Sequence, residues 1–211
     1  MTKREFHERS NLSIHQTSSI NEQPAKCVNY ELLLPRTETI PKEIAQIPAW
    51  LCWVAIEEPN NPDKFKKVPV DRFGKACNAH ESKNHRSFAD ACIQFSSAKQ
   101  GFGWGALGGI AIDLPNQPRP VSSNVDGVDL FLIGFDWDHC VKKVNGKREI
   151  HNSVKADLRK LGMPYVELSP SGNGLRAFAL CEEPLNAGNL GNYEQYGRGR
   201  FLTVTGRGGK W

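Results

Sequence analysis

Nowhere does the 211-residue sequence approach the roughly 20 consecutive apolar residues needed to cross a bilayer. No apolar segment follows the polar opening Met1-Thr2-Lys3-Arg4-Glu5 either, so neither a membrane partner nor a secretory leader is expected. The six cysteines are scattered, with no Cys-x-x-Cys pair and no ligand-like spacing to histidine, which speaks against structural zinc. These absences predict a cytoplasmic protein with reduced thiols. Internal repeats are missing, and so is a His-x-His pair or a tyrosine in an obvious nucleophile setting, which weighs against a nicking enzyme.

What remains is ordinary for a globular chain: 39% hydrophobic and 24% charged residues, with a net charge of +4. That charge allows a polyanionic partner without demanding one. The basic residues are unevenly placed, however. Lys142, Lys143, Lys147, Arg148, Lys155, Arg159 and Lys160 crowd one stretch, and Arg176, Arg198, Arg200, Arg207 and Lys210 follow. A phosphate-rich ligand would explain this; a solvated helix face would explain much of it.

Residues 1–25 are polar and aperiodic and are expected to form a disordered tail. Residues 26–211 read as one domain made of two units, about 30–113 and about 127–211, with a seam in the Pro- and Ser-rich loop from Pro115 to Asp126. In the first unit, Trp50 to Ile56 and Lys66 to Val70 are strand candidates, the second at a sheet edge because of Pro69. Ser87 to Phe95 has helical spacing, and a glycine-rich stretch with Trp104 opens the strand Ile110-Ala111-Ile112. In the second, a helix is expected over Glu149 to Leu161, ended by Gly162 and Pro164, with strands at Tyr165 to Ser169, Leu175 to Leu180 and Arg200 to Thr205.

The most apolar run, Leu130 to Phe135, ends in Asp136-Trp137-Asp138-His139. Alternation along a strand would turn Asp136 and Asp138 to the same face, roughly 6.5–7 Å apart at Cα. Two such carboxylates suit Mg²⁺ or Mn²⁺, and a metal pair activates an attacking hydroxyl and stabilises a leaving pyrophosphate. A capped strand end is the plainer reading. The turn Ser169-Pro170-Ser171-Gly172-Asn173-Gly174 is rich in hydroxyls and glycines, as a backbone cradle for phosphates would be, and Asn-Gly equally marks a plain hairpin. Arg176 beyond it has the fork geometry for phosphate oxygens, or is a surface arginine. Glu194, in Tyr193-Glu194-Gln195-Tyr196, offers a third carboxylate or a solvated glutamate.

Taken in order, these segments resemble the primase-polymerase branch of the archaeo-eukaryotic primase superfamily, found in phages, plasmids and other mobile elements. Trp50 to Trp53, Lys67-Val68-Pro69, Gly74-Lys75-Ala76 and Ser87 to Ala91 are similar to that family's N-terminal motifs. Asp136 to Asp138, Glu167 to Arg176 and Glu194 to Gly206 are similar to its catalytic motifs, so the resemblance spans about Trp50 to Gly206. It implies an α/β, archaeo-eukaryotic primase-like fold in which an RRM-like catalytic unit packs on an N-terminal αβ unit, with the active-site groove between them. The implied activity is a DNA primase-polymerase, a two-metal nucleotidyltransferase making and extending primers on single-stranded DNA. Asp136, Asp138 and Glu194 would be the catalytic and metal-holding carboxylates, with Mg²⁺ or Mn²⁺ as cofactor. Ser169, Ser171, Gly172, Gly174 and Arg176 would seat the triphosphate, and Lys67 and Arg200 would contact phosphates of nucleotide or template. Implied partners are the single-stranded template, nucleoside triphosphates, and a helicase domain or protein. One departure is Arg176, which stands where the family usually has histidine. Arginine keeps the donors and the charge but does not titrate near neutral pH. A degenerate nucleic-acid-binding replication module and a metal-dependent nuclease or nicking protein are the other readings.

Overall fold

The computed structural model describes residues 33–58, 61–98, 108–162 and 165–209; the expected tail over residues 1–25, Trp104 and Pro164 lie outside them. Along the chain the elements are α1 (Lys42–Ala45), β1 (Trp50–Glu58), β2 (Asn61–Val70), α2 (Phe88–Ala98), β3 (Gly109–Leu114), β4 (Ser122–Ser123), β5 (Asp129–Trp137), β6 (Val141–Val144) and β7 (Lys147–Ile150). Then come α3 (Asn152–Leu161), β8 (Tyr165–Leu168), β9 (Leu175–Cys181), β10 (Gly188–Asn189), β11 (Glu194–Tyr196) and β12 (Arg200–Val204). The protein is mixed α/β, built mostly of antiparallel sheets with few helices. Among the described residues no helix is long and apolar enough to cross a membrane.

Sheet one runs β12-β3-β1-β2. The edge position of β2 suits Pro69, which has no N–H to give to a further strand. Its core face carries Trp50, Cys52, Ile110, Ile112, Leu202 and Val204, packed with Ala91 and Phe95 of α2. Ser87 starts α2: its hydroxyl accepts from the backbone N–H of Asp90 at 3.1 Å and donates to the Asp90 carboxylate at 2.6 Å. Trp50 and Trp53 are 0% and 1% exposed, and the Trp53 indole N–H donates to the Ile110 carbonyl at 3.2 Å. Both indoles are core side chains.

Sheet two runs β10-β11-β5-β9-β8, with β4 paired to the start of β5. Ile133, Phe135 and Trp137 of β5, with Leu175 and Ala177 of β9, form the face covered by Val154 and Leu158 of α3. Burying each large apolar side chain there contributes roughly 1.5–3 kcal/mol. Leu132 and Phe178 point the other way, into the core shared with sheet one. Gly134 lies between Leu132 and Asp136 on that face, and a Cβ there would collide with the Leu202 side chain of β12. A glycine at this position lets the two sheets close on each other.

The C-terminal strand β12 pairs with β3, from Arg200↔Leu114 to Val204↔Ile110. Within the stretch about 127–211, β5 and β8 to β11 form sheet two, while its last strand completes the sheet begun by residues 50–70. Sequence reasoning also began the α3 helix too early. Glu149 and Ile150 belong to β7, which pairs with β6 through Val141↔Ile150 and Val144↔Lys147. Asn145 and Gly146 form the tight turn between them, both left-handed at φ 50° and 77°, as a two-residue hairpin loop requires. The Asn-Gly signal thus marks a hairpin at 145–146. Helix α3 ends at Gly162, left-handed at φ 58°.

Candidate active site

Four ionisable side chains stand in one line across sheet two. Glu194 of β11 is opposite Asp136 of β5, Asp136 is opposite Arg176 of β9, and Arg176 is opposite Glu167 of β8. Residues directly opposite in antiparallel pairs share a face, and here it is the face turned away from α3.

Arg176 is 4% exposed and organises the line. Its Nε and Nη2 donate to Asp136 Oδ2 at 3.3 and 3.0 Å, and Nη1 donates to the backbone carbonyl of Thr203 in β12 at 3.0 Å. One guanidinium therefore ties sheet two to the edge of sheet one. The second Asp136 oxygen, Oδ1, is buried with no partner among the described residues, and so is Thr203 Oγ1. Unsatisfied buried acceptors cost on the order of 1–3 kcal/mol, so Asp136 Oδ1 is poised for a ligand.

Asp138 lies one residue beyond the end of β5, exposed, next to His139 with φ 52°. Strand alternation therefore does not extend to it. Both aspartates nonetheless lie within electrostatic reach of the Lys67 ammonium. The Lys67 ammonium is pulled down to about 7, chiefly by burial and then by the Arg176 guanidinium, with the two aspartates opposing. Glu194 accepts a hydrogen bond from the Tyr196 hydroxyl, and the Arg200 guanidinium lies 4.8 Å over the Tyr196 ring. Glu194 and Arg200 are thus linked through one aromatic side chain.

Glu167 is fully buried and not free. Its Oε1 accepts from the backbone N–H of Thr205 at 2.9 Å; its Oε2 accepts from the Tyr165 hydroxyl at 2.7 Å and from the backbone N–H of Gly206 at 2.8 Å. Burial pushes its carboxyl up to about 7, against those three donors and Arg176. This residue fastens β8 to the end of β12.

The Ser-Gly turn is satisfied from within. Ser169 Oγ accepts from the Gly174 N–H at 3.1 Å and lies 3.1 Å from Ser171 Oγ, and the Ser169 carbonyl accepts from the Gly172 N–H at 2.8 Å. A Cβ at Gly174 would fall 2.7 Å from the Trp137 carbonyl, so this glycine permits the turn to close over the end of β5. Ser169, Ser171, Gly172 and Gly174 do not line the cavity described next.

Between the edge of sheet one and Arg176 is a cavity of about 560 Å³, lined by Glu58, Phe65, Lys66, Lys67, His80, Arg176 and the Gly199–Thr203 segment with Arg200. Its size suits a small-molecule ligand. Lys66, Lys67, Arg176 and Arg200 line it with Glu58, and although Arg176 is already paired with Asp136 the balance of basic groups favours an anion. The structure brings together Lys67, Arg176 and Arg200, with Asp136 behind Arg176 and Glu194 next to Asp136. The basic residues between Lys142 and Lys160 are elsewhere: the exposed β6–β7 hairpin and α3 are on the opposite face of sheet two.

Among the described residues no group of three His, Cys, Asp or Glu side chains is assembled to hold a metal ion. The donor chemistry nevertheless suits a hard divalent cation, because Asp136 keeps one orphaned buried oxygen and Asp138 an exposed carboxylate. Sequence reasoning passed over His80, Asp113 and the role of Glu167. Asp113 had a readable signal, since it ends an apolar strand as Asp136 does, whereas nothing near His80 in sequence announces it. In comparisons with known proteins, no family model matches the chain and no curated protein is significantly similar to it.

Proposed function

We propose that the protein is a template-directed nucleotidyltransferase, a DNA primase-polymerase of archaeo-eukaryotic primase-like fold that makes and extends primers on single-stranded DNA for a mobile element in the cytoplasm. The observation that carries this reading is the anion-selective cavity walled by Lys67, Arg176 and Arg200, with Asp136 bonded to Arg176 and Glu194 beside it. The strand order β11-β5-β9-β8, with α3 between β5 and β8 in the chain, supports the RRM-like reading of the catalytic unit. In chain order that sheet is 4-1-3-2, as a split βαβ arrangement requires.

In this reading Arg176, Lys67 and Arg200 hold the triphosphate, with Lys67 regaining its proton as the phosphates enter. Asp136, Asp138 and Glu194 hold Mg²⁺ or Mn²⁺, which when bound supplies activation of the primer hydroxyl and charge neutralisation at the leaving pyrophosphate. Arg176 also orients Asp136, leaving Oδ1 as the oxygen free to ligate a metal. The protein's contribution is positioning and preorganised charge. Single-stranded template, nucleoside triphosphates and a helicase are the partners this activity calls for.

The test is nucleotide incorporation on a primed and an unprimed single strand with Mg²⁺ or Mn²⁺, with Asp136→Ala/Asp138→Ala as control. Incorporation that survives in the double variant, or none in the wild-type chain, would reject the proposal. One observation favours a second reading. The buried Arg176–Asp136 ion pair occupies an oxygen that a catalytic metal would use, as expected if the module binds nucleic acid without catalysis. Binding of single-stranded DNA without incorporation is the outcome that would select it.

A further inference from the structure

Asp113, next to the last residue of β3, has a side chain wholly inaccessible to solvent, although among the described residues no lysine or arginine pairs with it. Burying an ionised carboxylate costs several kcal/mol unless donors compensate it. Its partners are two histidines. Asp113 Oδ1 lies 2.7 Å from His80 Nδ1, and Oδ2 lies 3.1 Å from His85 Nε2. The His85 Nε2–H is directed to the Ala79 carbonyl at 2.7 Å, which makes the Oδ2 contact electrostatic. Accordingly Oδ2 has no hydrogen-bond partner among the described residues. The carboxylate, opposed by burial, holds His85 above the usual imidazole range. The carboxylate thereby favours the charged form of His85 beside it.

His80 is held differently. Its backbone N–H donates to Asn78 Oδ1 at 3.0 Å, and its Nδ1 faces the Asp113 carboxylate. An acceptor-only carboxylate at 2.7 Å requires the proton on Nδ1, which sets the tautomer and orients the ring. Nε2 is then the nitrogen available to a ligand, and among the described residues no protein group bonds it. His80 lines the same cavity as Lys67, Arg176 and Arg200.

We infer that the His80–Asp113 pair is a further ligand-binding element of this cavity: with a proton on each ring nitrogen, His80 donates from Nε2 to a phosphate oxygen of a polyphosphate ligand and from Nδ1 to Asp113, which positions the ring. The inference rests on the nucleotide reading of the site but concerns a residue outside it, on the loop before α2. The physical logic is that of a buried carboxylate behind a histidine that gains charge on its outer nitrogen. With Lys67, Arg176 and Arg200, His80 completes a ring of donors around the cavity.

Inorganic tripolyphosphate is the probe, measured by calorimetry on the full chain, alongside the KM and kcat of nucleotide incorporation. His80→Ala is expected to raise both the tripolyphosphate Kd and the nucleotide KM by about tenfold, one charge-assisted contact, with a smaller change in kcat. His80→Arg is expected to restore most of the binding, which a purely structural role would not allow. In Asp113→Asn the side-chain ¹⁵N signals of His80 should lose their single-tautomer pattern while thermal unfolding stays cooperative. An unchanged tripolyphosphate Kd in His80→Ala, or a wild-type chain that does not bind tripolyphosphate, overturns the inference even if incorporation is observed. Binding that depends on His80 in a chain that incorporates no nucleotide overturns the polymerase reading and upholds this one.

Discussion

Arg176 and Asp136 are opposite each other on β9 and β5, with Nη2 3.0 Å from Oδ2, and the two side chains are only 5% and 7% exposed. Their pairing decides how the Asp-x-Asp element behaves. The sequence suggests two like charges on one strand face, whose mutual repulsion a neutral substitution would relieve. The structure instead couples the first aspartate to a buried cation and leaves the second in solvent.

Asp136→Asn is therefore expected to lower stability, by about 3 kcal/mol, because it leaves Arg176 buried without its counter-charge. It should also reduce nucleotide incorporation by about 100-fold or more. Urea unfolding of Asp136→Asn, Arg176→Met and the double variant should yield a coupling of roughly 1–3 kcal/mol. Additive losses would mean that the ion pair carries no energy of its own.

Lys67 is predicted to couple ligand binding to protons. With its ammonium pulled down to about 7 by burial and by Arg176, the folded chain binds fewer protons than the unfolded one between that value and the usual lysine range, so this group makes stability rise with pH there. A phosphate ligand reverses the preference. Tripolyphosphate titrations at pH 8 in buffers of different ionisation enthalpy should reveal net proton uptake, and part of it should vanish in Lys67→Met. Equal uptake in both proteins would assign the protons elsewhere.

Glu167 should leave a mark on stability against pH. Its carboxyl is raised from an ordinary 4.5 to about 7, so the folded state holds the proton more tightly than the unfolded state. The contribution is full below about 4.5 and is lost as pH rises through 7, on the order of 3 kcal/mol in all. Glu167→Gln should flatten that slope. Its plateau should sit lower, because all three partners of the carboxylate are donors and one would meet the amide NH₂. A slope unchanged in Glu167→Gln would show that another group titrates.

Salt dependence separates the two basic surfaces. If the β6–β7 hairpin and α3 bind template, affinity for a single strand falls with salt at about −0.7 per neutralised phosphate on a logarithmic scale. Lys155→Glu/Arg159→Glu should flatten that slope and leave the nucleotide KM unchanged, since α3 lies behind the sheet from the cavity. A raised KM in this variant would show that the two surfaces act as one.

Much of this was legible from residues close together in the chain. The run ending at Asp136, the edge-strand Pro69, the helical spacing of Ala91 and Phe95 and the glycine closing α3 are local patterns, and strand and helix periods report them directly. So is the hairpin at Asn145-Gly146, where the signal was present but the basic residues around it read as a helix face.

The pairing of distant residues was not legible, because nothing local specifies which strand becomes a neighbour. Register across β11, β5, β9 and β8 put Glu194, Asp136, Arg176 and Glu167 in one line, although they come from segments up to 58 positions apart in the order of the chain. The crossing of β12 to β3 delivered Arg200 and the Thr203 carbonyl to Arg176. Tertiary folding also joined His80 to Asp113, 33 residues away. The sequence by itself determined which elements form and which side chains carry charge, since those depend on local sterics and alternation. Which charges meet, and whether an arginine faces solvent or a buried carboxylate, was decided by sheet register and by the two sheets closing over Gly134, and so by the tertiary structure alone.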